Sequence, residues 1–159
     1  MNQQGRRQGG HGHAVASCTE KTQQILGGYV SYFVWSDELS VGNAFIDSDH
    51  QMLVDYINQL HEAMAKGHGK EILGKILDEL IRYAKEHFQR EEDHMKSIRY
   101  ADFASHKQEH EIFIKEVSDL HAKFSAGNAM LSVRVSKFLK DWLVNHIMKL
   151  DRKLAAASR

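Results

Sequence analysis

Apolar residues recur at steps of three and four along four segments of the chain, and each recurrence predicts an amphipathic helix. The predicted helices cover about residues 47–66, 70–95, 103–125 and 131–154. The third is the most regular, since its apolar face alternates steps of three and four from Phe103 to Phe124. Asp47 is a good N-cap for the first helix, and Gly67 follows its predicted end. The pattern therefore predicts an all-α protein.

Short loops connect the predicted helices, around residues 67–69, 98–102 and 126–128. Loops this short force neighbouring helices to run antiparallel, which predicts an up-down-up-down antiparallel four-helix bundle over residues 32–159. The chain contains no proline, so the strongest helix breaker is absent. Residues 1–31 are rich in Gly, Gln, Arg and Ser and show no sustained period, which predicts a flexible, disordered N-terminal extension.

Seven polar residues interrupt the apolar faces of these helices. A buried imidazole or carboxylate without a partner is unfavourable, so a group of them in the core requires a cation, most simply a pair of metal ions. The seven candidate metal ligands are His50, His87, Glu91, His106, His110, His146 and Asp151.

The predicted topology gathers these residues at one end of the bundle. His50 is early in the first helix, the His87 pair is late in the second, the His106 pair is early in the third, and the His146 pair is late in the fourth. In an up-down-up-down bundle these four ends meet in one layer. Histidines with separate structural roles would have no reason to follow this alternation, so the pattern favours one joint site.

Spacing along each helix indicates how the ligands converge. His87 with Glu91, and His106 with His110, are four residues apart and therefore share a helix face. His146 and Asp151 are five apart, which in a straight α-helix separates them by about 140 degrees. A carboxylate that bridges two ions tolerates this offset better than a ligand of one ion. If Glu91 and Asp151 both bridge and one solvent-derived oxygen is shared, two octahedral ions keep one open position.

The ligand types point to iron and to dioxygen. Imidazole with carboxylate suits iron, thiolate is absent from the set, and zinc usually settles for four ligands. An open position on a redox-active ion pair predicts a dioxygen site. Two bridging carboxylates and a hydroxide leave the diferrous core with little positive charge, which favours reversible binding over oxygenation.

Composition narrows the remaining function classes. The 21 basic and 21 acidic side chains cancel, so no charge excess indicates nucleic acid or an anionic membrane surface. No apolar run approaches the roughly 20 residues of a membrane span, and the N-terminus lacks the pattern of a signal peptide. A single cysteine, Cys18, fits a reducing compartment. We expect a cytoplasmic protein and a monomer.

The residues around the seven candidates resemble those of the bacterial hemerythrins. In that family the pattern His, His-x-x-x-Glu, His-x-x-x-His and His-x-x-x-x-Asp holds a di-iron centre that binds dioxygen reversibly. The resemblance covers about residues 34–154 and includes Val34-Trp35, Tyr100-Ala-Asp-Phe103 and Trp142-Leu-Val-Asn-His146. The departure is the N-terminus, because family members begin close to the Trp35 position.

The resemblance implies a role for each candidate. One iron would take His106, His110 and His146, the other would take His50 and His87 and keep an open position for dioxygen, and Glu91 and Asp151 would bridge. The cofactors implied are two iron ions, Fe2+ or Fe3+, with a bridging oxo or hydroxo group. Leu143 would form a wall of the dioxygen pocket, although ordinary core packing explains it about as well. The protein would be an oxygen carrier, store or delivery protein rather than an enzyme, with an oxygen-consuming enzyme as a recipient.

Two alternative functions stay open. A ferritin-like di-iron oxidase would repeat Glu-x-x-His on facing helices, and this pattern is missing. A sensor of oxygen, redox state, nitric oxide or iron would normally carry an output domain, and the sequence shows none.

Four other residues have plainer interpretations. Trp35 and Trp142 are expected to be core anchors, and His61 and His121 to be polar residues about 16 Å away by helix rise. His94, one turn after Glu91, either contacts a ligand or lies at the bundle end.

Overall fold

Four long helices form an antiparallel bundle in the computed structural model, which describes residues 31–127, 131 and 133–158. They are α1 (Ala44–Ala65), α2 (Lys70–Ser97), α3 (Phe103–Ser125) and α4 (Val133–His146). α4 continues through a π-helical turn (Ile147–Asp151) into α5 (Arg152–Ala157), and a 3-10 turn (Asp37–Leu39) precedes α1. α1 packs against α2 and α4, and α2 packs against α3. The predicted up-down-up-down four-helix bundle is confirmed, whereas the predicted disordered extension lies outside the described residues except for Ser31.

The first helix begins one turn earlier than the sequence predicted. Asn43 is its N-cap, and the Asn43 side chain accepts hydrogen bonds from the backbone N–H groups of Phe45 and Ile46 at 3.1 and 3.3 Å. Asp47 instead accepts hydrogen bonds from the Ser40 hydroxyl at 2.7 Å and from the Val41 N–H at 2.8 Å. The prediction of Asp47 as the N-cap was wrong because the preceding loop folds back and supplies donors to this carboxylate. Asn43 is then left to satisfy the free N–H groups of the helix.

The end of α1 matches its prediction. Gly67 has a φ of +67°, a left-handed conformation that glycine adopts without a steric penalty. The N–H of His68 donates to the carbonyl of Ala63 at 2.9 Å, which closes the last turn. The chain can then reverse within a few residues, so α2 starts at Lys70 beside the end of α1.

The apolar core fills the bundle between the polar layer at one end and the α1–α2 loop at the other. Leu60, Leu77 and Leu139 are fully buried there, and each comes from a different helix. Packing of this kind supplies most of the stability of a bundle, because each buried leucine contributes about 1.5–3 kcal/mol relative to an exposed one. Within the described residues, the structure contains no helix long and apolar enough to span a membrane.

The segment before the 3-10 turn packs against the second half of α1, at the end of the bundle opposite the polar layer. The backbone N–H and C=O of Phe33 both pair with the side-chain amide of Asn58 at 2.8 Å. Tyr32 stacks on His61 with ring centroids 3.9 Å apart, and His61 also contacts the buried Ser136 hydroxyl at 3.2 Å. His61 therefore has a structural role at this end, and His121 pairs with Asp78 at 3.1 Å.

Candidate metal centre

The seven predicted ligands lie together in one buried layer at the end of the bundle where α1 and α3 begin. All of them are nearly inaccessible to solvent, with His146 the most exposed at 4%. Each of the four long helices contributes, and the π-helical turn adds one carboxylate. The members are His50 from α1, His87 and Glu91 from α2, His106 and His110 from α3, His146 from α4 and Asp151 from the π-helical turn.

Asp151 lies between two groups of imidazoles. Its Oδ2 atom is 3.2 Å from the Nε2 of His50. Its Oδ1 atom is 3.1 Å from the Nε2 of His106 and 3.2 Å from the Nε2 of His146. The two oxygens of this carboxylate therefore face different groups of histidines.

Glu91 has the same arrangement. Its Oε1 atom is 3.7 Å from the Nε2 of His87 and 4.0 Å from the Nε2 of His50. Its Oε2 atom is 3.2 Å from the Nε2 of His110 and 3.8 Å from the Nε2 of His106. Both carboxylates thus separate a two-histidine group, His50 and His87, from a three-histidine group, His106, His110 and His146.

The three-histidine group brings nitrogen atoms unusually close. The Nε2 atom of His146 is 3.1 Å from that of His106 and 3.0 Å from that of His110. One proton can link only one such pair, so three converging ring nitrogens are better suited to a common cation than to each other. Ligand atoms of this group and of Glu91 lie within 4.8 Å of one another, as do those of His50, His87 and Glu91.

Many buried oxygen and nitrogen atoms in this layer have no hydrogen-bond partner among the described residues. They include both oxygens of Glu91 and of Asp151, both ring nitrogens of His50, and the Nε2 of His87. Buried polar atoms are normally paired, and leaving one unpaired costs about 1–3 kcal/mol. A cluster of oxygen and nitrogen atoms without hydrogen-bond partners therefore fits bound cations. Two metal ions would give ligand bonds to both groups of histidines.

A π-helical turn places Asp151 in the layer. The N–H of Arg152 donates to the carbonyl of Ile147, the i to i+5 spacing that defines this turn. The wider turn brings residues five apart nearly above one another, so Asp151 reaches His146 at 3.2 Å. The 140-degree offset expected for a straight α-helix was wrong, because it assumed 3.6 residues per turn throughout.

Burial sets the protonation of two of the imidazoles, His110 and His87. It is the main cause that lowers the pKa of His110 to about 2, and the neighbouring His146 and His106 lower it further. Burial also lowers the pKa of His87. Both rings are therefore neutral at pH 7, and neutral imidazole is the form that binds metal ions.

The two buried carboxylates differ in the direction of their pKa shifts. Burial and then the nearby Asp151 charge raise the pKa of Glu91 well above its usual value. Burial also acts to raise the pKa of Asp151, but His146, His106 and His50 together hold it well below its usual value. Two like charges this close oppose each other, which is a further reason for a cation between them.

Two carboxylates outside the predicted set contact the Nδ1 atoms of His87 and His110, on the side of each ring that faces away from the layer. Asp49 Oδ2 is 3.2 Å from the Nδ1 of His87, and Glu92 Oε1 is 3.5 Å from the Nδ1 of His110. Burial acts to raise the pKa of Asp49, but hydrogen bonds from His87, Tyr83 and Arg90 lower it to about 2. Sequence reasoning missed both residues, although each is adjacent in sequence to a predicted ligand. They lie about 100 degrees around the helix from that ligand and so face the neighbouring helix.

Aromatic rings cover the three-histidine group. Phe88 stacks on His110 with centroids 4.0 Å apart, and Trp142 stacks on His146 at 4.4 Å. Trp142 also stacks on Phe113 at 4.0 Å, so it is a packing anchor, as expected, and also fixes a ligand ring. Trp35 is more distant, 6.3 Å from the His50 ring.

Leu143 and His94 lie in different surroundings. Leu143 is 3% exposed and lines a small apolar cavity of about 10 Å³ next to Phe88 and Trp142, about the room that one water molecule needs. Its role as the wall of a dioxygen pocket stays a prediction. His94 contacts the Ser158 hydroxyl at 2.7 Å, which places it at the end of the bundle beside α5.

Comparison with known proteins shows which proteins this chain is similar to. The hemerythrin HHE cation binding domain model matches residues 41–157. The bacteriohemerythrin of Methylococcus capsulatus is 44% identical over 115 residues, 72% of this chain and 87% of that protein. The bacteriohemerythrin of Stenotrophomonas maltophilia is 34% identical over 126 residues, 79% of this chain and 81% of that protein. A solved wild-type hemerythrin superposes with a TM-score of 0.76 at 38% identity, covering 79% of this chain and 97% of that one.

Proposed function

The chain belongs to the hemerythrin family, and on that premise we propose that it binds dioxygen reversibly at a non-haem di-iron centre and acts as an oxygen carrier or store. One observation carries the proposal. Five imidazoles and two carboxylates from four helices and a π-helical turn converge in a buried layer, where most of their inward-facing atoms have no hydrogen-bond partner among the described residues. A protein core tolerates such a cluster only when cations neutralise it.

The distances support a specific assignment of ligands. In this proposal His106, His110 and His146 would hold one iron, while His50 and His87 would hold the other. Glu91 and Asp151 would serve both ions, since the oxygens of each carboxylate face both groups of histidines. The group of two histidines supplies fewer protein ligands, so its iron would be the one with room for dioxygen.

The donor set fits iron in particular. None of the seven residues is a cysteine, and imidazole with carboxylate is the combination that non-haem iron prefers. Two ferrous ions held by these residues would supply the redox chemistry that reversible dioxygen binding needs. A ferritin-like oxidase site is richer in carboxylates than this one, which has only two among its seven predicted ligands.

The protein's own side chains would protect the bound gas. Burial keeps His87 and His110 neutral, as their lowered pKa values show. Phe88 and Trp142 cover His110 and His146, and Leu143 lines the small cavity next to them, so this side of the layer is apolar and excludes water and the protons that water delivers. Exclusion of water favours release of the ligand unchanged over its reduction.

Cycling between air and argon tests this proposal directly. The anaerobic, reduced protein with two irons should be nearly colourless, should gain visible absorption in air, and should lose it again under argon. Many cycles should be possible without a substrate, followed by absorption spectroscopy and by oxygen uptake per chain. An oxidase would instead reach a state that argon does not reverse. Failure to recover the reduced spectrum in fresh, fully loaded protein would overturn the carrier proposal.

Removal of residues 1–31 should leave iron content and oxygen binding unchanged. None of the seven proposed ligands lies there, and the contacts of Tyr32 with His61 and of Phe33 with Asn58 are retained. Metal analysis and thermal unfolding of the shortened chain beside the full chain measure this. A large loss of iron or a large fall in Tm would show that the extension supports the bundle.

A further inference from the structure

We propose that Asp49 is a positioning residue for His87, fixing the tautomer and the orientation of this ring so that its Nε2 faces the metal layer. The inference rests on the proposed di-iron site, because it concerns how tightly one of the two irons is held. Asp49 is adjacent in sequence to the proposed ligand His50, but its side chain points to α2 rather than into the layer.

The contact between Asp49 and His87 is buried and joins two helices. Asp49 is 7% exposed and His87 is 1% exposed. Asp49 Oδ2 lies 3.2 Å from His87 Nδ1, and the oxygens of this carboxylate already accept hydrogen bonds from Tyr83 and Arg90, so the ring N–H donates and the carboxylate accepts. A neutral imidazole carries one proton. With that proton on Nδ1, the lone pair is left on Nε2.

On the opposite side of the ring, the Nε2 atom of His87 is free to bind a metal ion. His87 Nε2 is buried and has no hydrogen-bond partner among the described residues, and it lies 3.7 Å from Glu91 Oε1. The ring thus donates to a carboxylate on one side and presents a lone pair to the metal layer on the other. Carboxylates placed behind ligand histidines in this way raise the basicity of the ring and hold it in place.

Asp49 is itself held rigidly. The Tyr83 hydroxyl donates to its Oδ1 at 2.8 Å. The Arg90 guanidinium donates to its Oδ2 from Nε at 2.9 Å and from a second nitrogen at 2.8 Å. Arg90 in turn lies over the rings of Phe45 and Tyr83, 5.8 and 5.7 Å from their centroids. A carboxylate fixed by two cross-helix donors can orient a ring more precisely than a free one.

The effect should fall on one iron more than on the other. Only two histidines serve the iron that His87 would hold, so misplacing one of them removes half of its imidazole ligands. The comparable contact on the other group is weaker, since Glu92 is 3.5 Å from His110 and also pairs with Lys107 at 3.0 Å. His110 is moreover one of three histidines there. The asymmetry separates a positioning role from a general contribution to stability.

The test compares Asp49→Leu with a matched control variant. Asp49→Leu removes the acceptor at similar size, and Asp55→Leu makes the same change at an exposed position of the same helix. Each full-length protein is loaded with Fe2+ under argon. The iron dissociation constants are measured by competition with a chelator, and Mössbauer spectra of the two irons are recorded.

Asp49→Leu should weaken one of the two irons by about 10–100-fold, the range typical for loss of such a partner, and should change one Mössbauer doublet. The other iron should keep its affinity, and the Asp55→Leu control should stay within about twofold of the unmodified protein, well below the 10–100-fold scale of the expected loss. Asp49→Asn keeps an acceptor oxygen but loses the charge, so its loss should be smaller. This variant decides the matter if Asp49→Leu does not fold.

Three results would overturn the positioning role. These are unchanged iron affinity in Asp49→Leu and Asp49→Asn, equal weakening of both irons, and a loss of the same size in Asp55→Leu. Because the test measures iron affinity, failure of the Asp49 proposal can be told apart from failure of the dioxygen-carrier proposal. A protein that binds two irons but oxidises irreversibly would refute the carrier function and leave the Asp49 test intact.

Discussion

Glu91→Ala should give a protein that keeps its helices and loses both irons. Glu91 is the one α2 carboxylate that faces both groups of histidines, with 3.7 Å to His87 on one side and 3.2 Å to His110 on the other. In the proposed centre it therefore serves both ions, and its removal takes a ligand from each. Loss of a ligand shared by two ions should affect iron content more than loss of any single histidine.

The helices should survive because Glu91 contributes little to the fold without metal. Its two oxygens have no hydrogen-bond partner among the described residues, and burial raises its pKa well above the usual value. Both facts mean that the buried carboxylate is unfavourable by itself. Replacing it removes a desolvated acid, and the leucine-rich core below the layer is unchanged.

Metal analysis and circular dichroism measure the two halves of this prediction. Iron per chain should fall from two to near zero, and the helical signal should change little. His110→Ala should lose most of the iron as well, but it leaves the His50 and His87 group complete. Glu86→Ala is the matched control, because this exposed glutamate lies on the same helix and pairs with Arg82. Full iron content in Glu91→Ala, or one zinc in place of two irons, would refute the proposed centre.

Leu143→Ala should make the oxygenated protein decay faster to the oxidised form. Leu143 lies three residues before the proposed ligand His146 and lines an apolar cavity that has room for about one water molecule. Phe88 and Trp142, which stack on His110 and His146, line the same cavity, so cutting back Leu143 enlarges a space that borders these rings. Water that enters can deliver protons to the bound ligand, and a dry wall normally prevents this.

The same variant should be less stable by about 2–5 kcal/mol, the range for deleting a buried leucine. Leu143 is only 3% exposed and packs among the core residues, so the full range for a buried leucine applies at this position. Autoxidation is followed by absorption after a switch from argon to air, and stability by chemical unfolding. Leu77→Ala, at a fully buried core position that does not line this cavity, is the matched control. An autoxidation rate equal to that of this control would assign Leu143 to packing alone.

The bundle was predictable because its signal is spread over many residues. The helices α2 and α3 end within two residues of their predicted bounds, since periodic faces, short loops and glycine stops all agree. The start of α1 was not predictable in the same way. Asn43 and Asp47 are both good caps in sequence, and only the fold of the preceding loop decides that Asp47 accepts from Ser40 and Val41.

The contacts behind the ligands could not be read from the sequence. Asp49 and Glu92 lie beside predicted ligands, where a charged residue would ordinarily face solvent. Whether such a residue turns outward or reaches a neighbouring helix depends on how the two helices are rotated about their axes. This rotation is set by side-chain packing along the whole length of the bundle, so a local pattern does not contain it.

The sequence by itself determined the helical class, the antiparallel order of the helices and the seven candidates at one end of the bundle. These features follow from periodicity, loop length and spacing, which are local properties of the chain. Only the tertiary structure decided how Asp151 enters the layer. A straight helix would turn it about 140 degrees from His146, whereas the π-helical turn brings them to 3.2 Å. A π-helical turn is less favourable than an α-helical one, so it persists only where contacts with other helices, here with His50 and His106, stabilise it.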